Sequence, residues 1–251
     1  MQTLGLDYFE TFSPVMKAST IRIVFSIAIS FQWPLKQLDI QNAFMNGDLG
    51  EQVFMTQPRG FVDPQFPSYV CKLNKALYGL KQAPWAWFHK LSHVLLQWGF
   101  QASRANSSIF FQHSATDVLI LLVYVDDFPV TGSNSSQVSS FISYLNSTFA
   151  ICDLGRLNYF LGIEVIHYGS KMHLSLHKYV QDLLARTNML DSKPAHTPRM
   201  LGRTLLQHDG PLFLDIKLYR STVDDLQYVT LTWPNIAFVV NNVFQFMANP
   251  T

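Results

Sequence analysis

Eight consecutive uncharged residues, Val118 to Val125, run directly into two adjacent aspartates, Asp126 and Asp127. A run that is apolar at every position is the pattern of a central strand buried on both faces. It falls far short of the roughly 20 residues that cross a bilayer as a helix. Phe128 to Thr131 resumes the apolar pattern, so the segment reads as a hairpin with an acidic tip. Carboxylates at the end of such a strand are costly unless water, hydrogen bonds or a cation compensate them. On this pair alone two readings stand: an exposed turn, where Asp is common, and a metal site.

Asp39 shifts the balance. It lies near the end of a second predicted core strand, LKQLDI, between Leu38 and Ile40. If the two strands are neighbours, Asp39 and Asp126 face one another at one sheet edge. Close carboxylates repel and raise each other's pKa unless a cation lies between them. A hard cation such as Mg2+ takes one or two carboxylates plus substrate phosphates. Two such ions can clamp the attacking and leaving oxygens of an in-line phosphoryl transfer.

The rest of the chain predicts an α+β fold. Ser19 or Thr20 is expected to cap a helix to about Phe31. Residues 46–67, with three prolines and three glycines, read as irregular. Pro84 opens a helix that ends at Gly99, with Trp85, Phe88, Leu91, Leu95 and Leu96 on its buried side. Strands at 108–112 and 118–125 precede a helix over 137–149. YFLGIEVI and KMHLSL pair as a hairpin around Tyr168-Gly169. Helices follow at 178–189, 218–231 and 234–247, with an irregular linker over about 191–214. The order β–α–β–β–α–β, with helices on a mostly antiparallel sheet, is a split βαβ arrangement.

Composition excludes several classes. Hydrophobic residues make up 48% and charged residues 14%, which no disordered tail shows. The 18 Lys+Arg nearly cancel the 17 Asp+Glu, so nucleic acid would have to be met by a local basic groove, through Lys72, Lys75 and Lys81. The only cysteines, Cys71 and Cys152, give no zinc spacing and fit a reducing compartment. With no signal peptide and no membrane span, a cytoplasmic location is expected.

Four ordered motifs carry a resemblance: QLDIQNAFMNGDL (37–49), LNKALYGLKQAPWAWF (73–88), YVDD (124–127) and DLGRLNYFLGIEV (153–165). Together they resemble the reverse transcriptases of copia-type LTR retrotransposons, and the likeness extends from LDYFETFSPV to FMANPT. The resemblance implies a palm with partial fingers over 1–177 and a helical thumb over 178–251. It implies RNA-directed DNA synthesis on a template–primer from deoxynucleoside triphosphates. Asp39 and Asp126 would hold Mg2+ (or Mn2+), with Asp127 as the third catalytic acid. Phe44 would be the steric gate that excludes a ribose 2′-hydroxyl, and is expected beside the acidic corner instead of in the core. Gln82, Tyr124, Arg22 and Lys17 would lie along the nucleotide site, and Phe160, Leu161 and Gly162 would grip the primer. Read without the resemblance, Phe44 is core, Gln82 a helix cap and FLGIE a strand with a bulge.

Some features depart from the family pattern. Trp85 and Trp233 stand at expected arginines and Asn235 at an expected aspartate. Asp224-Asp225 puts two charges into an apolar-looking helix, and Pro129 removes an N–H from the return strand of the acidic hairpin. The chain is expected to lack the basic fingers segment, the RNase H and integrase regions and the virus-like-particle setting of an intact element. It is therefore expected to be weakly active, or an inactive remnant that at most binds nucleic acid or a partner chain.

Overall fold

The computed structural model describes residues 16–169, 171–195 and 213–250, together with positions 2, 5, 8, 11 and 197. Most of the predicted linker over 191–214 and most of the LDYFETFSPV stretch lie outside the described residues. The chain divides into two compact units, Met1–Leu157 and Asn158–Thr251.

In the first unit, α1 (Ala18–Ser30) buries Ile21, Val24, Phe25 and Ala28, the stripe expected of an amphipathic helix. Its N-cap is Lys17, with no side-chain cap, instead of Ser19 or Thr20. Thr20 is drawn away by burial: its hydroxyl accepts from Asn106 Nδ2 at 2.8 Å. The strand β1 (Leu35–Ile40) leads into a 3-10 turn, Ala43–Asn46, and then β2 (Asp48–Thr56), which pairs with β3 (Val70–Lys75). That nine-residue strand occupies the first part of the stretch expected to be irregular, while residues 57–67 are irregular as expected. The prolines lie just beyond β2, where they remove no rung from the ladder.

The helix α2 (Ala83–Gln97) has Pro84 in its first turn and Gly99, at φ +97°, just past its end. Its buried side is Ala83, Ala86, Trp87, Leu91, Val94 and Leu95, rotated from the predicted face, with Leu96 exposed. The strands β4 (Gln101–Ala102), β5 (Ile109–His113), β6 (Val118–Leu122) and β7 (Asp127–Gly132) follow, then α3 (Ser135–Thr148) and β8 (Ile151–Arg156). Asn134 caps α3 by accepting from the Ser136 and Gln137 amides, a cap worth about 1 kcal/mol.

The six-stranded sheet runs β4-β5-β6-β7-β1-β8, with every neighbouring pair antiparallel. Thus β1 connects through α2 to β6 with β7 between them, and β7 connects through α3 to β8 with β1 between them. This is the split βαβ order. The predicted neighbours of the acidic site, β1 and β6, do not touch; the return strand β7 separates them.

Register determines which side chains share a face. Leu38 stands opposite Phe128, and Val130, Leu121 and Phe110 form one cross-strand row. These pack with Trp87, Leu91 and Leu95 of α2 and Val138, Phe141 and Leu145 of α3. The alternate residues of β1, Gln37 and Asp39, stand opposite Pro129 and Asp127, on the other face.

In the second unit, β9 (Tyr159–Phe160) and β10 (Ile163–Tyr168) flank a two-residue turn with Leu161 at φ +52° and Gly162 at φ +74°. Positive φ at both corners is a type I′ hairpin, so FLGIE is a hairpin and not one bulged strand. β11 (Lys171–Ser175) pairs with β10 as expected. Among the described residues, three α-helices follow: α4 (His177–Arg186), α5 (Ile216–Val229) and α6 (Ala237–Phe244). The charges of α5 are accommodated, against the expectation of damage. Asp224 is exposed, while Asp225 accepts from Tyr179 at 2.7 Å and pairs with Arg186. Trp233 and Asn235 are exposed. No helix among the described residues is long and apolar enough to cross a membrane.

Candidate active site

The acidic hairpin is a two-residue turn. Tyr124 and Asp127 bond reciprocally through their backbones (3.1 and 2.9 Å), leaving Val125 and Asp126 at the corners. Val125 lies at φ +54°, a conformation that a β-branched residue rarely adopts and that costs about 1–3 kcal/mol. The turn is fixed to β1 by the Ile40 amide, which donates to the Asp126 carbonyl at 2.8 Å. It is fixed to α2 by the Trp87 indole, whose Nε1–H donates to the Val125 carbonyl at 2.6 Å.

Three carboxylates gather at this end of the sheet. Asp39 is the cross-strand partner of Asp127. Burial pushes the Asp126 carboxyl up from the ordinary range, and the Asp39 charge adds to the effect. Asp127 is pushed up to about 6, chiefly by burial and then by the charges of Asp126 and Asp39. A hydrogen bond from Gln37 Nε2 to Asp127 Oδ1, at 3.0 Å, acts in the opposite direction. The ion pairs among the described residues engage Asp48, Asp153 and Asp225, and none neutralises this corner. Nor do three carboxylate, imidazole or thiol groups converge there, among the described residues, to hold an ion unaided. Unneutralised carboxylates of this kind fit a hard cation that completes its shell with substrate oxygens.

Phe44 is carried on the 3-10 turn that follows β1. The ring is not outside the core, as expected, but half-buried at its rim, against both the sheet core and Ala83 and Ala86 of α2. It also packs on Tyr78, with ring centroids 4.8 Å apart. The Tyr78 hydroxyl is pushed up by burial and by the Asp126 and Asp39 charges, so this aromatic pair adjoins the acids. Gly47 permits the close approach of this turn to α2: a Cβ there would lie 2.8 Å from the Trp87 nitrogen.

The other predicted residues are less closely gathered. Gln82 is buried at the start of α2 and its side chain caps nothing; it accepts from Gln2 Nε2 at 2.8 Å. Tyr124 is half-exposed beside the turn. On α1, Lys17 is exposed and Arg22 half-buried. Phe160 is fully buried in the second unit, with Leu161 and Gly162 forming the turn after it.

Gln37, Tyr78 and Trp87 were missed from the sequence. Period-two alternation places Gln37 on the face of Asp39 and could have found it. Trp87 belongs to the buried Trp87–Leu91–Val94 stripe of α2, whereas the sequence pattern points to the Trp85–Phe88 stripe of the same helix. Nothing local marks Tyr78.

A family model described as "Reverse transcriptase (RNA-dependent DNA polymerase)" matches residues 1–201. The retrovirus-related Pol polyproteins from transposons RE1 and RE2 of Arabidopsis thaliana are 45% and 44% identical over 250 residues, covering 100% of this chain and 17% of each polyprotein. The Pol polyprotein from transposon TNT 1-94 of Nicotiana tabacum is 35% identical over 99% of the chain, which spans 20% of that protein. The chain thus corresponds to about a fifth or less of the length of these relatives. With the family model matching most of the chain and its similarity running end to end, the chain belongs to the reverse transcriptase (RNA-dependent DNA polymerase) family, as found in the Pol polyproteins of copia-type transposons.

Proposed function

We propose that this chain is the polymerase domain that extends a primer 3′-end with deoxynucleotides on an RNA or DNA template. Residues 1–177 would supply palm and partial fingers, and residues 178–251 the thumb. One observation carries the reading: Asp39, Asp126 and Asp127 are brought to one sheet end with no basic side chain among the described residues paired to them.

In the reaction, the primer 3′-oxygen attacks the α-phosphorus of a deoxynucleoside triphosphate, and pyrophosphate leaves. Asp39 and Asp126 would hold Mg2+ or Mn2+, which when bound supplies charge neutralisation and alignment of the attacking and leaving oxygens. Asp127, held by Gln37, adds negative charge beside them and keeps the corner selective for a cation. Phe44, braced by Tyr78, places a flat ring where a 2′-hydroxyl would need room. Gln82 and Tyr124, with Arg22 and Lys17 on α1, are assigned to the nucleotide and template. The type I′ turn of Phe160, Leu161 and Gly162 is assigned to the primer terminus, since a preformed hairpin holds a strand end with little entropy to lose.

Primer extension on an RNA template with Mg2+ or Mn2+ tests this reading, with Asp126→Asn as the background control. Extension by the unmodified chain that disappears in the control supports it. Extension that survives Asp126→Asn would overturn it.

A further inference from the structure

The turn that carries Asp126 is weakly held by its own hairpin. Pairing between β6 and β7 stops at Leu121↔Val130 and resumes only at the Tyr124↔Asp127 bridge. The reciprocal backbone bonds of Tyr124 and Asp127 set the phase of the ladder, and the next rung toward the sheet would join Leu122 and residue 129. Residue 129 is proline, which has no N–H to give. That rung can therefore hold at most one of its two bonds, the one in which the Pro129 carbonyl accepts, and it falls immediately behind the turn. At its tip, Val125 occupies the left-handed region, which a β-branched side chain disfavours. A hairpin with a weakened rung and a strained corner gains from support outside it.

That support reaches the strained residue itself. Trp87 is 2% exposed, belongs to the second turn of α2 and directs its indole N–H to the Val125 carbonyl at 2.6 Å. Its ring is wedged edge-on against Phe149, with centroids 5.1 Å apart, so the donor cannot swing away without disturbing the core. The indole is a donor only, so the bond has one sense. The carbonyl it holds belongs to the peptide that joins Val125 to Asp126, and fixing that peptide plane restricts where the Asp126 side chain starts.

We propose that Trp87 is the positioning residue of the Asp126 turn, acting through the Val125 carbonyl. The consequence for metal binding rests on the reading of Asp126 as a ligand given above; the consequence for the turn does not.

The test uses the full 251-residue chain with Trp87→Phe. A second variant replaces the Trp87 indole by benzothiophene, which keeps the ring volume and removes only the N–H. Trp85→Phe serves as a control on the same helix, because Trp85 stacks on His89 instead. Without metal, hydrogen exchange of the Asp127 amide, bonded to the Tyr124 carbonyl, should accelerate roughly fivefold in both Trp87 variants. The Gln41 amide, bonded to Ala150, should not change. Mn2+ affinity read by electron paramagnetic resonance should fall by a similar factor. Unchanged exchange in the benzothiophene variant, or equal acceleration in Trp85→Phe, would overturn the proposal. So would accelerated exchange with no loss of an Mn2+ affinity that Asp126→Asn abolishes. If Asp126→Asn leaves Mn2+ binding intact, the metal reading fails and the exchange measurement alone decides the role of Trp87.

Discussion

Replacing Gly47 by alanine adds one methyl group at the point where the Phe44 turn meets α2. The backbone there has φ −69° and ψ 130°, which any residue adopts, so the substitution introduces no torsional strain. Space is the obstacle. The new Cβ would lie 2.8 Å from the Trp87 nitrogen, 2.9 Å from the Ala86 carbonyl carbon and 3.1 Å from the Ala86 Cβ. The first two are helix backbone atoms, which cannot rotate out of the way as a side-chain end could. Either the turn or the helix must shift by several tenths of an ångström, and overpacking of this kind costs about 1–3 kcal/mol. The lost flexibility of the unfolded chain returns about 0.4–1 kcal/mol. The net loss is about 1–2 kcal/mol, or roughly 2–8 °C in melting temperature for a chain of this size. Gly50→Ala is the matched control: nothing lies within 4 Å of its Cβ and its φ is not positive, so the entropic gain stands alone. Paired urea titrations of the two variants measure the difference. A Gly47→Ala chain as stable as the parent, or a Gly50→Ala chain destabilised to the same degree, would refute the packing argument.

Asp127→Asn keeps an acceptor for Gln37 and removes a carboxylate whose pKa is raised to about 6. A folded-state pKa above the unfolded value means that the parent loses stability as pH rises from about 4 through 6. In chelator, the variant should gain about 1–2 kcal/mol over the parent at pH 8, after allowance for partial solvation, and nothing at pH 4; equal stability at both values would contradict the shift. Phe44→Ala should raise incorporation of ribonucleotides relative to deoxyribonucleotides in primer extension, and unchanged sugar discrimination would remove the ring as gate. Asp225→Ala strips Tyr179 and Arg186 of their shared partner and should cost about 1–3 kcal/mol by thermal melting, near the lower end because Arg186 is half-exposed. No loss would mean that the α4–α5 pair is held by the Tyr179–Tyr228 ring contact alone.

Local chemistry made much of this molecule legible before any coordinates. The apolar run Val118 to Val125 pointed to a covered strand, which in the fold ends at Leu122, and Pro84 and Gly99 bracket a helix as expected, because each signal lies within a few residues. The ordered motifs around Asp39 and Asp126 were sufficient for the family. Where a signal depended on density of breakers, as over 46–67, it misled in part: the prolines cluster beyond β2 and leave its ladder intact.

What the tertiary structure alone decided is how separated segments meet. The sequence placed Asp39 and Asp126 at two strand ends but could not show that β7, and not β6, lies against β1, which makes Asp127 the direct partner of Asp39. Helical periodicity allowed two buried faces for α2, and only the sheet beneath it selected the one that carries Trp87 to Val125. The two charges on α5 looked unfavourable by themselves, yet Asp224 faces solvent and Asp225 is satisfied by Tyr179 and Arg186 about 40 residues away. Periodicity, caps and turns are written in short windows because they depend on adjacent backbone. Strand order, the facing of a helix and the pairing of a buried charge depend on which distant surfaces exclude water together, and no short window contains that.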